Sequence, residues 1–203
     1  MTAIIDYGVG NLFSLESSFA AIGEPVVVTR DAEVLKKADR LVLPGVGAFR
    51  DARQALRDSG LEETVVELAK EGKPLLGICL GMQMLFDRDY EDGVYEGLGL
   101  IPGEVRPISE VIDKDLKIPQ IGWNALIFRN PSRLFKYINE GDYVYFVHSY
   151  HATGCDSRTT AVTEYSALLT ASVEKDNVFG CQFHPEKSGE VGLNILKAFV
   201  EIN

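Results

Sequence analysis

The sequence is sparing with the residues that build covalent or metal scaffolds: 3 Cys, 3 His and 1 Trp in 203 residues. Cys79, Cys155 and Cys181 show no paired framework and no metal-ligand spacing. That excludes a disulfide-stapled fold, and neither a metal nor a cofactor is expected. So few cysteines suit a reduced, cytoplasmic setting. No Lys/Arg cluster stands out, and 20 basic residues face 30 acidic ones for a formal charge of −10. Nucleic acid and anionic membrane are therefore not expected partners, and the acidity reads as a solvated surface. No apolar run approaches a membrane span. Met1-Thr2 leads straight into Ala3-Ile4-Ile5, so no signal peptide is expected. Repeats and low-complexity tracts are also lacking.

What is present is a chain with 46% apolar residues, long enough to bury a sizeable core as one domain over residues 1–203. Thr2 to Asp6, Pro25 to Thr29 and Leu41 to Leu43 read as strands, with helices between them from Leu12 and after Asp31, a helix N-cap. This alternation predicts an α/β fold with a mostly parallel sheet, whose ligands bind beyond the carboxyl ends of the strands. The turn Tyr7-Gly8-Val9-Gly10-Asn11 has Gly-x-Gly without a third glycine, a weak dinucleotide signal. Pro44-Gly45-Val46-Gly47 falls at a strand end and can aim N–H groups at an anion, although an ordinary βα turn reads the same way. Helices are expected over Arg50 to Asp58 and Leu61 to Glu71. Beyond Gly93 the pattern turns β-rich: Val105-Arg106, Ile118 to Ile121, Asn124 to Phe128, Tyr143 to Val147, Thr159 to Tyr165 and Ala167 to Val173. These segments predict antiparallel or mixed sheet added to the parallel core. Asn177 to Phe183 is the expected last strand, and Val191 to Ile202 the closing helix.

The stretch Gly77-Ile78-Cys79-Leu80-Gly81 sits between a buried strand, Lys73 to Leu76, and a helix read from Met82 to Phe86. Strand–turn–helix order with Gly-x-Cys-x-Gly at the bend is the spacing of a nucleophile elbow, with sulfur in place of oxygen. Cys79 is then expected at a helix N-terminus, facing out toward a substrate, where unpaired N–H groups favour a thiolate. A small core residue is the commoner role of a cysteine. A thiolate nucleophile needs an imidazole partner. His148 and His151 each read as packed or surface residues. His184 ends the last strand before Pro185, and in extended chain Glu186 points to the same side, so a Cys79–His184–Glu186 triad is expected.

Gly77 to Gln83 together with Phe183 to Glu186 resembles the class I (triad) glutamine amidotransferases, whose elbow reads Gly-x-Cys-x-Gly-x-Gln and whose distal motif reads Phe-His-Pro-Glu. The resemblance spans the chain and implies a three-layer, flavodoxin-like α/β fold that hydrolyses L-glutamine to glutamate and ammonia. It makes Cys79 the nucleophile, His184 the proton carrier and Glu186 its orienter. It places the oxyanion on the backbone amides of Val46 and Leu80, with the Val46 peptide flipping to point its N–H inward. It assigns Gly47, Gln83, Glu91, Ser149 and Tyr150 to substrate binding. Gln83 and Glu91 would take the ammonium end, and Ser149 and Tyr150 the carboxylate. Asp6 to Leu12, Pro44 to Phe49, Ile121 to Asn124, Tyr145 to Tyr150 and His184 to Ser188 are similar to glutaminase subunits that dock, as heterodimers, on a (β/α)8-barrel cyclase in histidine biosynthesis. That likeness implies a partner face and ammonia passage at Asn11, Trp123, Asn124, Tyr145 and Lys187. The other readings are an amidotransferase subunit of another pathway, a cysteine peptidase or γ-glutamyl hydrolase, and a non-catalytic module on the same fold.

Overall fold

The computed structural model describes residues 1–202. Its first elements alternate as the sequence does: β1 (Thr2–Ile5), α1 (Leu12–Ala21), β2 (Val26–Thr29), α2 (Ala32–Lys37), β3 (Arg40–Leu43), α3 (Phe49–Asp58), α4 (Glu62–Lys70) and β4 (Leu75–Ile78). Asp31 caps α2 by accepting the Glu33 N–H at 2.8 Å. After β4 come α5 (Leu80–Met84), β5 (Arg88–Asp89), β6 (Tyr95–Glu96), β7 (Glu104–Pro107), β8 (Gln120–Ala125), β9 (Ile127–Phe128), β10 (Tyr143–His148) and β11 (Tyr150–Thr153). The chain finishes with β12 (Thr159–Tyr165), β13 (Ala167–Lys175), β14 (Val178–Cys181) and α6 (Gly189–Val200).

The main sheet runs β2-β1-β3-β4-β14-β13-β12-β9. Its first five strands are parallel and the last three join antiparallel. β1, β3, β4 and β14 are buried at every residue, which is why they read as continuous apolar runs. The strand period of two divides their side chains between layers. Ala3, Ile5, Leu41, Leu43 and Leu75 pack with α2, α3 and α4 through Leu35, Phe49, Leu56 and Val65. Ile4, Val42, Leu76 and Ile78 face the other way, onto Leu15 and Phe19 of α1 and Ile195, Leu196 and Phe199 of α6. The result is a three-layer α/β/α stack. Among the described residues no helix is long and apolar enough to cross a membrane.

The antiparallel and mixed sheet expected beyond Gly93 is present: β9, β12 and β13 extend the core sheet, β8 pairs with β10, and β11-β7-β5-β6 makes a third sheet. Two expectations need correction. The expected strand over Ile118 to Ile121 begins at Gln120 and runs on to Ala125, because Pro119 has no N–H to give a ladder. The helix after the elbow starts at Leu80, directly behind the cysteine, and not at Met82.

Candidate active site

Cys79 joins β4 to α5 with φ +54° and ψ −111°, a region that disfavours side chains and concentrates at functional turns. Two features hold it there. Its N–H donates to the Cys181 carbonyl at 2.7 Å, and its carbonyl accepts the first helical bond, from the Gln83 N–H at 3.1 Å. The flanking glycines are needed for close approach. A Cβ on Gly81 would lie 1.9 Å from the Leu43 carbonyl oxygen, and one on Gly77 would lie 2.7 Å from that of Gly81. The side chain is only 8% exposed, less open than the sequence implied. Its opening is the wall of a pocket of about 260 Å³.

His184 lies beyond β14, and its N–H donates to the Tyr145 carbonyl at 2.9 Å. Its carbonyl accepts from Ser188 Oγ at 2.6 Å, and the same Oγ accepts the Tyr145 N–H at 3.0 Å. Nδ1 is 2.8 Å from Glu186 Oε1, which leaves Nε2 for the sulfur. The acid reaches the ring differently from the expectation. Pro185–Lys187 is a single 3₁₀ turn, so the chain curls Glu186 back under the ring instead of alternating as a strand. Both side chains are buried. Burial opposes charge on the ring, but contact with the Cys79 sulfur and the Glu186 carboxylate outweighs it and raises the His184 pKa to about 9. Both contacts favour the charged form of the ring beside the Cys79 sulfur.

The pocket is lined by Val46, Gly47, Cys79, Leu80, Gln83, Glu91, Pro119, Val147, His148, Ser149, Tyr150 and His184. Every residue expected to form the oxyanion hole or bind substrate is among them. Leu80 is the first residue of α5, so its N–H has no acceptor within the helix. Gly45 lies so close to that turn that a Cβ would sit 2.7 Å from the Gly81 nitrogen. The Pro44–Gly47 loop is thereby laid against the elbow. Gln83 Nε2 donates to the Tyr150 carbonyl at 3.3 Å and to Gln182 Oε1 at 3.1 Å, which leaves the Gln83 oxygen to accept. Glu91 Oε2 accepts the Phe49 N–H at 2.5 Å, capping α3 just beyond the Val46 loop.

Several site residues escaped sequence reasoning. Tyr7, buried, donates its hydroxyl to the Pro44 carbonyl at 2.6 Å; burial raises its pKa, and the nearby Cys79 charge adds to this. Asp89, fully buried, accepts the Glu91 N–H at 2.7 Å. Burial pushes its carboxyl up to about 7, with that hydrogen bond pulling the other way. Burial lowers His148 to about 4, so the ring is neutral. Its Nδ1 lies 2.7 Å from the Tyr150 carbonyl and its Nε2 2.9 Å from the Gln120 side chain. Gln182 touches both Gln83 and Cys79. Its one sequence signal was its place beside Phe183.

The five residues expected on a partner face are not all alike. Trp123 is 51% exposed. It stands opposite Tyr145 in the β8–β10 register, with ring centroids 6.0 Å apart at 69°. Lys187 Nζ lies 5.8 Å from the Tyr145 ring centroid. Asn124 donates its side-chain amide to the Glu164 carbonyl at 3.1 Å. Asn11 precedes α1 without a side-chain capping bond. Among the described residues no group of three or more His, Cys, Asp or Glu is placed to hold a metal.

The Glutamine amidotransferase class-I family profile matches residues 3–202. The imidazole glycerol phosphate synthase subunit HisH of Lactococcus lactis subsp. lactis (strain IL1403) is 50% identical over 199 residues, covering 98% of this chain and 96% of its own. The subunit of the same name from Caldanaerobacter subterraneus subsp. tengcongensis is 48% identical over 203 residues, covering 100% and 98%. A solved glutamine amidotransferase superposes with a TM-score of 0.75 at 17% identity over 98% of both chains. PurLQS from Thermotoga maritima does so with a TM-score of 0.74 at 20% identity, over 98% of this chain and 96% of its own. At such identities the solved structures carry the fold alone. With its elbow, buried histidine–carboxylate pair and full-length sequence match, the chain belongs to the class I glutamine amidotransferases.

Proposed function

We propose that this chain is the glutaminase subunit of imidazole glycerol phosphate synthase, releasing ammonia from L-glutamine for a (β/α)8-barrel cyclase in cytoplasmic histidine biosynthesis. The observation that carries the chemistry is Cys79, held at positive φ on the pocket wall beside the buried His184–Glu186 pair. The full-length likeness to subunits of that name supports the pathway.

Glutamine enters with its ammonium toward Gln83 Oε1 and Glu91, and its carboxylate toward Ser149 and Tyr150. The Cys79 thiolate attacks the side-chain carbonyl carbon, and the C=O electron pair moves onto oxygen. Backbone N–H groups of Leu80 and of Val46, once its peptide has flipped, hold that oxyanion. Protonated His184 gives its proton to the departing amine, the C–N bond breaks, and ammonia leaves a glutamyl thioester. Neutral His184 then takes a proton from water, which attacks the thioester. The C–S bond breaks, glutamate departs, and the thiolate–imidazolium pair is restored. Glu186 keeps the proton on Nδ1 throughout, so that Nε2 faces the chemistry.

Ammonia made here would protonate in bulk water, so a docked partner has to receive it. Asn11, Trp123, Asn124, Tyr145 and Lys187 form the proposed face. Tyr145 gates the passage, and Lys187 pairs with an acid of the cyclase. The test is glutamate release by the chain alone, then with the barrel cyclase and its nucleotide ligand. Slow turnover alone and a large rise in the mixture support the proposal. Fast turnover alone, or no response to that cyclase, moves the chain to another pathway or to an independent hydrolase.

A further inference from the structure

Gln182 is wholly buried, one residue beyond β14, with its N–H on the Ala171 carbonyl at 2.9 Å. Its neighbours Cys181 and Phe183 both point into the α1–α6 core layer, and strand alternation sends Gln182 the other way, to the elbow. A buried carboxamide is costly unless both ends are bonded, and here both are. Oε1 accepts from Gln83 Nε2 at 3.1 Å, and Nε2 lies 3.8 Å from Cys79 Sγ.

The partners fix which end is which. The Tyr150 carbonyl can only accept, and it receives the Nδ1–H of neutral His148 at 2.7 Å. The Gln83 atom that also meets it, at 3.3 Å, must be nitrogen. That same nitrogen faces Gln182, so the facing atom of Gln182 must be oxygen. Turning Gln182 over would set two buried NH₂ groups against each other and point an oxygen at the sulfur. The orientation therefore passes from the Tyr150 carbonyl through Gln83 to Gln182, and ends with a donor aimed at the nucleophile.

We propose that Gln182 is a further catalytic residue, whose side-chain N–H hydrogen-bonds the Cys79 sulfur and favours the thiolate over the thiol. A purely structural glutamine could be replaced by a side chain of like shape without changing the reactivity of Cys79; a thiolate donor could not. The inference rests on Cys79 being the nucleophile, but not on the pathway or the partner.

The test is iodoacetamide labelling of Cys79 across pH in the full chain, followed by peptide mass spectrometry, for wild type, Gln182→Met and Gln182→Glu. Methionine keeps the shape without the donor, and glutamate turns an acceptor toward the sulfur. The labelling rate at neutral pH is expected to fall about tenfold in Gln182→Met, the size of one charge-assisted hydrogen bond, and further in Gln182→Glu. Both variants regain the wild-type rate in alkali, and glutaminase kcat falls with the neutral-pH rate more than KM rises. A folded Gln182→Met with an unchanged rate–pH curve overturns the proposal. Should neither variant fold, the side-chain NH₂ resonance of Gln182 in ¹⁵N-labelled wild type decides. It shifts when the Cys79 sulfur is alkylated if the bond exists, and an unmoved resonance overturns the proposal. Normal labelling behaviour with no response to a cyclase would sink the pathway assignment and leave this one standing.

Discussion

His184 and Asp89 both carry pKa values raised by their surroundings, and for opposite reasons. The His184 value, about 9 against an ordinary 6.5, comes from partners that reward its charge despite burial. Because the folded pKa exceeds the unfolded one, this stabilisation is complete below about pH 6.5 and is lost as pH rises through about 9. Glu186→Gln removes the carboxylate that the charged ring faces. Its melting temperature is expected to fall most below pH 6.5, with the wild type's decline toward pH 9 flattened, and kcat should drop about a hundredfold. Thermal melts across pH and steady-state glutamate release check both halves. A pH-dependent stability identical to wild type would contradict this role for Glu186. Asp89 instead holds a proton because burial penalises its charge, and its pKa climbs from 3.8 to about 7. Its ionisation therefore costs folded-state stability as pH rises from about 4 through about 7. Asp89→Asn keeps an oxygen for the Glu91 N–H and removes that cost. The variant should melt higher than wild type at about pH 8 and gain nothing at about pH 4. A gain that is equal at both pH values would contradict this account of Asp89.

The elbow was the most legible element, because Gly-x-Cys-x-Gly is a short local pattern. Gly77 leaves room for β4 and α5 to touch, whereas Gly81 leaves room for the end of β3 at Leu43, a contact 38 residues away that the pattern does not name. The short strands were not legible. β5 and β6 have two residues each, too few for any periodicity, and their pairing depends on β7, which follows them in sequence. The Glu186 arm was legible in residue identity but not in shape, since a 3₁₀ turn and an extended segment can both place residues two apart together. Tyr7 shows the same limit at the first βα turn. Nothing near Asp6-Tyr7-Gly8 announces that its hydroxyl will reach Pro44, 37 residues away. That bond fastens the start of the Pro44–Gly47 loop and leaves Val46 and Gly47 free to reorient. Tyr7→Phe should cost about 1 kcal/mol of stability and lower kcat severalfold by loosening the loop, with little change in KM. Urea unfolding together with kinetics measures both. A stability loss with untouched kcat would restrict Tyr7 to packing.

Across the whole molecule, the site is a consequence of strand order. β3, β4 and β14 are adjacent and parallel, so the segments leaving their carboxyl ends emerge side by side. Val46 follows the first, Cys79 the second and His184 the third. The register puts Ile78 opposite Cys181 and Gly77 opposite Gly180, which brings the nucleophile and its histidine together although more than a hundred residues separate them. No periodicity encodes that pairing; it was legible only through chemistry, in an elbow cysteine that needs an imidazole and a histidine placed at the end of the last strand. The second sheet then carries the expected partner face. β10 lends its Tyr145 carbonyl to the His184 N–H, while its side chain meets Trp123 and Lys187 on the outside. One residue thus touches the triad through its backbone and the surface through its ring. A half-exposed tryptophan against a tyrosine is a costly feature for a surface to leave in water, and such aromatics anchor interfaces. Trp123→Ala should leave the melting temperature nearly unchanged, because the side chain covers little of the core. It should weaken association with the barrel cyclase by at least about thirtyfold, the scale of a hot-spot residue. Glutamate release by the lone chain should stay at the wild-type level, and stimulation should return at high cyclase concentration. Calorimetric binding and a titration of stimulated turnover separate the outcomes. Normal affinity with lost stimulation would make Trp123 part of the signal and not the anchor, and normal behaviour in both would move the docking face away from β8.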